Sequence, residues 1–122
     1  MMNKKVESFR DLIVWQKSHE LVLEVFKFTS KFPKKDQSYL ASKLRDAAMI
    51  IPANIAIGFQ KRSRKTKVHY YRVALTEMEQ TRYLFVLAQD LGYQKAPDAL
   101  LDSCVDIEKM LKRLIRSIAS QQ

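Results

Sequence analysis

The sequence predicts an all-α protein, an up-and-down bundle of four helices, and three observations lead to that prediction. The 122 residues contain only two glycines and three prolines, which are too few for the many turns of a β protein. Four long segments repeat apolar residues at three- and four-residue steps, as helices packed on one face do. Short connections should place consecutive helices side by side. We predict one domain over residues 11–120, after an N-terminal extension at residues 1–10.

The first helix is predicted from about Asp11 to Phe32. Its charged residues recur at three- and four-residue steps and form one narrow stripe: Lys17, Glu20, Glu24, Lys27 and Lys31. The remaining positions are largely apolar and lie on two neighbouring faces: Leu12, Trp15, Val22 and Phe26 on one, Val14, Leu21, Val25 and Phe28 on the other. The segment FPKKD ends this helix, because a proline disfavours helical conformation in the residue before it. We expect burial on more than one side.

The second helix is predicted over roughly residues 37–60. Its buried face is predicted to hold these residues: Leu40, Leu44, Ala47, Ala48, Ile51, Ile55 and Phe59. Pro52 lies inside this segment, where it removes a backbone N–H and crowds the carbonyl four residues back. The helix is therefore expected to kink at Pro52 without ending there.

The third helix is predicted from an N-cap at Ser63 to about Leu91, with Gly92 as its C-terminal stop. Its buried positions are predicted to be Tyr71, Ala74, Met78, Phe85 and Ala88. The fourth helix is predicted to begin near Pro97. Its buried positions alternate four- and three-residue steps: Leu100, Cys104, Ile107, Leu111, Leu114 and Ile118.

Helices one and three carry more apolar residues than a monomeric four-helix bundle needs to bury. In the third helix the segment YLFVLA, residues 83–88, is apolar on every side. Self-association accounts for this surplus, and a fully covered monomeric core is the alternative.

The composition favours a soluble, cytoplasmic protein. A lone cysteine, Cys104, cannot form a disulfide within the chain, which fits a reducing compartment. No signal peptide is recognisable at the N-terminus. The longest uncharged apolar run, residues 47–59, is too short to span a bilayer.

Reactive side chains are too sparse to predict an enzyme. The two histidines, His19 and His69, belong to no metal-binding or di-iron motif, and no nucleotide-binding glycine motif is present. His19 shares a face with Trp15 and Val22 and is interpreted as a core or interface residue. Cys104 falls among the buried positions of helix four and is interpreted as a small hydrophobic residue. We therefore expect no catalytic residue, no cofactor and no metal site.

The most informative segment is GFQKRSRKTKVHYYR, residues 58–72, which holds six lysines and arginines and no acid. No Asp or Glu occurs between Asp46 and Glu77, and the net charge of the chain is +9. Such an excess of cations attracts polyanions. The predicted nucleic-acid-binding residues are Lys61, Arg62, Arg64, Lys65, Lys67, His69, Tyr70 and Arg72.

The helix dipole distinguishes this segment from an ordinary solvated surface. A first helical turn favours Asp or Glu, yet here it holds Arg64, Lys65 and Lys67. Free backbone N–H groups together with cations make a phosphate site, and Tyr70 is placed to stack on an unpaired base. A solvated helix start remains the alternative. A membrane-surface role ranks lower, because the bundle needs the apolar residues that insertion into lipid would require.

A second basic group occurs late in helix four: Lys109, Lys112, Arg113 and Arg116. Cations near a helix C-terminus are favoured by the dipole without any ligand. This group is therefore weaker evidence for binding.

The chain resembles a known family in the segments FRDLIVWQKSHELVLEVFKFTSKFP, IPANIAIGF, RS and LAQDLGY, from Phe9 to Tyr93. These segments are similar to the four-helix-bundle proteins encoded in intervening sequences of bacterial 23S rRNA genes, often described as ribosomal-protein-like. The most specific matches are F-x-x-L-x-V-W-Q-K, beginning at Phe9, and I-P-x-N-I-A-x-G-F, from Ile51 to Phe59.

The resemblance implies an up-and-down four-helix bundle, a homopentameric ring and no established enzymatic activity. It also implies binding of ribosomal or other RNA. The accessory protein of diversity-generating retroelements has a related fold, and that protein engages nucleic acid and a reverse transcriptase.

This sequence departs from the family pattern near the basic segment. Ile57 stands where the family usually has glutamate, and Thr66 and Lys67 replace a glutamate and an aromatic residue. Further family features are replaced around Thr76, Glu77, Gln80 and Arg82. Most of these changes remove an acidic residue or add a basic one, which favours the binding of a polyanion.

Taken together, these residues predict a non-enzymatic, basic RNA-binding protein that contacts phosphates of ribosomal or other structured RNA, with DNA as a possible ligand. The alternative is an oligomeric scaffold or adaptor for a protein partner such as a polymerase. No membrane partner is expected.

Overall fold

The computed structural model describes residues 5–34 and 38–120, and within them it contains four α-helices and no strand. The helices are α1 (Ile13–Ser30), α2 (Ser38–Gln60), α3 (Arg64–Asp90) and α4 (Asp98–Ala119), preceded by a 3-10 helix at Phe9–Asp11. Consecutive helices pack against each other, and α1 also packs against α4. These neighbour relations are those of a four-helix bundle. The predicted all-α class is confirmed.

The first helix begins at Ile13, later than predicted, because a separate 3-10 turn precedes it. The Ser8 hydroxyl accepts the Arg10 N–H at 2.9 Å, and the Asp11 carboxylate accepts the Ser8 N–H at 3.1 Å. These reciprocal contacts close the turn before α1 starts. Helix α1 ends at Ser30, two residues before the predicted end. The predicted start of the second helix, residue 37, lies outside the described residues.

The predicted inner faces of α2 and α3 lie in the core, which also includes residues of α1 and α4. All the predicted positions of α3 are buried, and those of α2 are buried except for Phe59, which is half-buried. Helix α2 continues through Pro52 to Gln60.

The inner face of α4 differs from the prediction at one position. Leu114 is half-buried, and Ile115 faces the core in its place, with 5% of its surface exposed. An α-helix turns once every 3.6 residues, so the fourth residue after Leu111 returns closer to the core than the third at this step. Cys104 is fully buried, as predicted.

Both predicted ends of α3 are confirmed. The Ser63 hydroxyl accepts the Thr66 N–H at 3.0 Å. Gly92 has φ +77°, a left-handed conformation that glycine adopts without a steric penalty. The Gly92 N–H donates to the Gln89 carbonyl, and the Tyr93 N–H donates to the Ala88 carbonyl, each at 2.9 Å. This pair of bonds is the Schellman motif.

Helices α1 and α3 leave large apolar side chains exposed, which confirms the predicted surplus. On α1, Leu23 and Phe26 are 52% and 40% exposed; on α3, Tyr83 and Val86 are 60% and 55% exposed. Helices α1 and α3 are not adjacent in the described part of the chain and face each other across the core, where the Phe28 and Phe85 rings meet edge-on at 5.2 Å, so they occupy diagonal positions. The two apolar surfaces therefore face different sides of the bundle.

The interpretation of His19 as a core residue is wrong. Its side chain is exposed, and its ring stacks on the Trp15 indole with a centroid distance of 5.1 Å and an interplanar angle of 5°. His19 follows Trp15 by one helical turn, which brings the two rings together on the outside of α1. The alternative interpretation, an interface residue, stays a prediction.

Candidate nucleic-acid interface

The basic segment lies at the junction between α2 and α3. Three residues, 61–63, separate the two helices. The Lys61 N–H donates to the Gly58 carbonyl at 3.2 Å, and the Ser63 hydroxyl donates to Thr66 Oγ1 at 2.8 Å. These bonds satisfy groups at the end of one helix and the start of the next. The junction is consequently a tight turn with defined backbone geometry.

Close packing of α2 on α3 begins at Gly58. A Cβ atom at this position would lie 2.8 Å from Cε1 of Tyr71 and 3.2 Å from Cβ of Tyr70. Tyr71 is only 2% exposed, so its ring has little space to move. Gly58 therefore allows the two helices to approach closely immediately before the basic turn.

Lys67 points back across the junction. Its Nζ donates to the Phe59 carbonyl at 2.6 Å and to the Gly58 carbonyl at 3.2 Å, and it lies 5.6 Å from the centre of the Phe59 ring. The last carbonyls of a helix have no partner within the helix and carry partial negative charge. Lys67 therefore caps the C-terminus of α2, and partial burial lowers the pKa of its ammonium group.

This role of Lys67 differs from the predicted phosphate contact. Two of the three N–H donors of its ammonium group are engaged with carbonyls of the same chain. The sequence contained a signal for this role, because Lys67 precedes Tyr71 by four residues and Ala74 by seven. That spacing places it on the inner face of α3.

Lys61, His69 and Tyr70 come together beside the turn. The Lys61 ammonium lies 5.4 Å from the centre of the Tyr70 ring, and the His69 ring meets the Tyr70 ring edge-on at 5.0 Å. Tyr70 is half-buried and His69 is exposed. Of these three, His69 is the most accessible for a hydrogen bond to a ligand.

Four cations of the segment point into solvent: Arg62, Arg64, Lys65 and Arg72. None of them belongs to an ion pair among the residues that the structure describes. Lys65, His69 and Arg72 follow one another at four- and three-residue steps, which places them on the same outer side of α3.

This arrangement can bind phosphate groups. The first turn of α3 carries partial positive charge from its backbone, and the exposed cations there have no carboxylate partner in the part of the chain that the structure describes. Guanidinium groups donate paired hydrogen bonds to phosphate oxygens, whereas lysine acts as a point charge. At the junction, the partial positive charge of the α3 N-terminus thus adds to the charge of flexible cationic side chains.

Potential metal ligands, the lone thiol and the length of the apolar helices bear on other possible sites. No group of three or more His, Cys, Asp or Glu residues in the described ranges is placed to hold a metal ion. Burial raises the pKa of the Cys104 thiol to about 11, which keeps it protonated and weakly reactive. No helix of residues 5–34 and 38–120 is both long and apolar enough to cross a bilayer.

The fold and the junction define a class, that of basic all-helical proteins with four packed helices. The family described as 23S rRNA-intervening sequence protein matches residues 10–113. The chain belongs to this family, which confirms the resemblance seen in the sequence. A comparison with curated protein sequences gives no match.

Proposed function

We propose that this protein is a non-enzymatic, cytoplasmic RNA-binding protein that contacts phosphates through the α2–α3 junction. The observation that carries the proposal is the set of solvent-facing cations without carboxylate partners among the described residues: Arg62, Arg64, Lys65 and Arg72. Lys61 contributes a further phosphate contact, His69 and Tyr70 contribute secondary contacts, and Lys67 holds the turn that displays them.

Ribosomal RNA is the proposed ligand, with other structured RNA and DNA as further possibilities. The family description refers to an intervening sequence of 23S rRNA, which supports an RNA context. A surface of helices has no groove for reading base edges, so affinity should follow RNA shape and charge more than sequence.

A closed homopentameric ring is the proposed assembly. A ring requires two different surfaces on each protomer, one for each neighbour. Exposed apolar side chains on the diagonal helices α1 and α3 supply two such surfaces, and the family resemblance supplies the number five. Five copies of the junction would then strengthen weak single contacts through avidity.

The salt dependence of RNA binding tests the proposal. If Lys61, Arg62, Arg64, Lys65 and Arg72 each neutralise one phosphate, the log–log slope per protomer should be about −3.5 to −4.5. Replacing Arg64, Lys65 and Arg72 with glutamine should flatten it by about two to three units, because three phosphate contacts are lost.

The matched control is a variant with Lys31, Lys34 and Lys95 replaced by glutamine. These exposed lysines lie at the opposite end of the bundle, and their removal changes the net charge equally. Unchanged RNA affinity and slope in the junction variant would identify the basic segment as solvated surface and refute the proposed function.

The second candidate function is an oligomeric scaffold or adaptor for a protein partner such as a polymerase. The exposed apolar surfaces of α1 and α3 favour it, because protein partners bind such patches. Affinity capture from native lysate with and without nuclease separates the two functions. Partners that remain bound after nuclease treatment support the scaffold, whereas their loss supports RNA binding.

A further inference from the structure

The last turns of α4 lie beside the first turns of α3. A cleft of about 260 Å³ is lined by Arg64, Lys65 and Val68 from α3 and by Ile118 and Ala119 from α4. Further along the same pair of helices, Arg82 of α3 contacts Glu108 of α4. The two helices are therefore antiparallel neighbours, and the stretch 65–72 runs alongside the stretch 109–119.

This packing brings the basic group of α4 next to the junction. Lys109, Arg113 and Arg116 are exposed and belong to no ion pair within residues 5–34 and 38–120. Lys112 differs, because its Nζ lies 3.0 Å from Glu108 Oε2. Three cations of α4 are thus available to a ligand.

The helix dipole explains only part of this group. Its effect is confined to about the last turn of a helix, and α4 ends at Ala119. Arg116 falls in that turn, but Arg113 and Lys109 lie one and two turns earlier. The dipole therefore does not account for Arg113 and Lys109.

Two rows of cations result. Lys65 and Arg72 span about 10 Å along α3, and Lys109 and Arg116 span about 10 Å along α4, at 1.5 Å per residue. Packed helices lie about 8–10 Å apart, so the two rows run side by side. Arg113 widens the α4 row toward α1, where it lines a cleft with Leu12 and Ile13.

Acidic residues mark where this surface stops. Arg82 is held by Glu79 at 3.1 Å and by Glu108, which also pairs with Lys112. This group contains two carboxylates and two cations and is neutral in sum. The unpaired positive charge therefore lies toward the end of the bundle that carries the α2–α3 junction.

Apart from the exposed His69 ring, the aromatic rings near the junction offer little surface on which unpaired bases could stack. Single-stranded nucleic acids are held by aromatic faces on which bases stack. The Tyr70 ring is half-buried and flanked by Lys61 and His69, and Tyr71 is buried. A duplex, whose bases are already stacked, presents phosphates and 2′-hydroxyls on its outside instead.

We infer that α3 and α4 form one composite surface for double-stranded RNA, in which Lys109, Arg113 and Arg116 contact phosphates beyond those held at the junction. This inference rests on the proposed function and adds a second row of contacts and a ligand class to it.

The test measures binding of the full chain to a short RNA duplex and to one of its strands alone. Replacing Lys109, Arg113 and Arg116 with glutamine should lower duplex affinity about ten-fold or more and flatten the duplex salt slope by about two to three units. Single-strand affinity should fall by a clearly smaller factor, because a single strand has a lower charge density and must be ordered to follow both rows, whereas a duplex presents its phosphates at fixed positions. Circular dichroism verifies that the variant keeps its helices.

The Lys31, Lys34 and Lys95 variant is the matched control for charge, and it should leave both affinities within about two-fold. An α4 variant that behaves like this control, or that weakens duplex and single strand equally, overturns the composite surface. If the junction variant alone weakens binding, the proposed function stands with one row. If the unmodified protein binds neither ligand, both proposals fail.

Discussion

Lys67 and Gly58 meet across the α2–α3 junction, where the carbonyl of Gly58 accepts a hydrogen bond from the ammonium group of Lys67. Both residues determine the shape of the turn, although neither faces a ligand. Gly58 permits close approach of the helices, and Lys67 neutralises the negative end of α2. Single substitutions at these two positions should therefore act on stability before they act on binding.

Replacement of Lys67 with methionine should reduce the free energy of unfolding by about 1–2 kcal/mol, because two carbonyls of α2 lose a charged donor. Methionine retains the apolar stem, so the loss of stability measures the contribution of the ammonium group. Urea denaturation measures the change.

Lys65→Met is the matched control, since Lys65 lies in the same turn but makes no such contact. Its replacement should leave stability equal or slightly higher, because a cation at a helix start is unfavourable. Equal stability of the two variants would refute the capping role of Lys67.

Replacement of Gly58 with alanine should destabilise the fold by about 1–3 kcal/mol, because the added Cβ overlaps the buried Tyr71 ring. Alanine also gains about 1 kcal/mol of helix propensity, which opposes this loss. The reverse change at an exposed position of α2, Ala53→Gly, measures the propensity term separately. A Gly58→Ala variant with a raised thermal midpoint would show that the ring yields to the new methyl group.

Among the helices, α3 and α4 are joined by an ion-pair group as well as by the core. Arg82 bridges Glu79 and Glu108, and Lys112 approaches Glu108 from the same helix. A hydrogen bond from Lys112, together with the charge of Arg82, lowers the pKa of the Glu108 carboxyl below its usual value. Its ionised form is consequently favoured in the folded state.

The Glu108→Gln variant should be less stable than the parent protein by about 1 kcal/mol at neutral pH, a modest value because Arg82 is partly solvated. A depressed carboxyl pKa contributes stability above the ordinary glutamate pKa and loses it as the pH falls through the lowered value. The difference between the two proteins should therefore shrink in acid. Unfolding curves at neutral and acidic pH measure it. A difference that is independent of pH would assign the effect to packing.

The helices illustrate what periodicity can and cannot predict. Apolar spacing identified all four, and Ser63 and Gly92 identified the ends of α3, because capping depends on residues close in sequence. The 3-10 turn before α1 was missed, although the Ser8–Asp11 capping box that closes it is an equally local signal. The inner position of Lys67 follows from its spacing to Tyr71 and Ala74, but its carbonyl partners on α2 depend on tertiary packing, and so does the pairing of α3 cations with α4. A single helical pattern does not contain these partners.

For the whole molecule, the exposed apolar side chains of α1 and α3 lead to a prediction about mass. Light scattering coupled to size exclusion should give several times the monomer mass of 14.3 kDa. Leu23→Lys should lower that mass by placing a charge on an apolar contact surface. The control Ser103→Lys adds the same charge at an exposed polar position of α4, away from the exposed apolar side chains of α1 and α3, and should not. A clean monomer for the parent protein at micromolar concentration would exclude the ring.

The absence of carboxylates from the chain between Asp46 and Glu77 has a consequence for the folded state itself. The cations displayed there must draw their counterions from the surroundings, and in a ring several copies would compete for them. Self-repulsion destabilises such a state in dilute buffer. The thermal midpoint should therefore rise as salt is added at low concentration, and it should rise further when RNA supplies the missing negative charge. The nucleic acid would then complete the electrostatic balance of the protein that binds it.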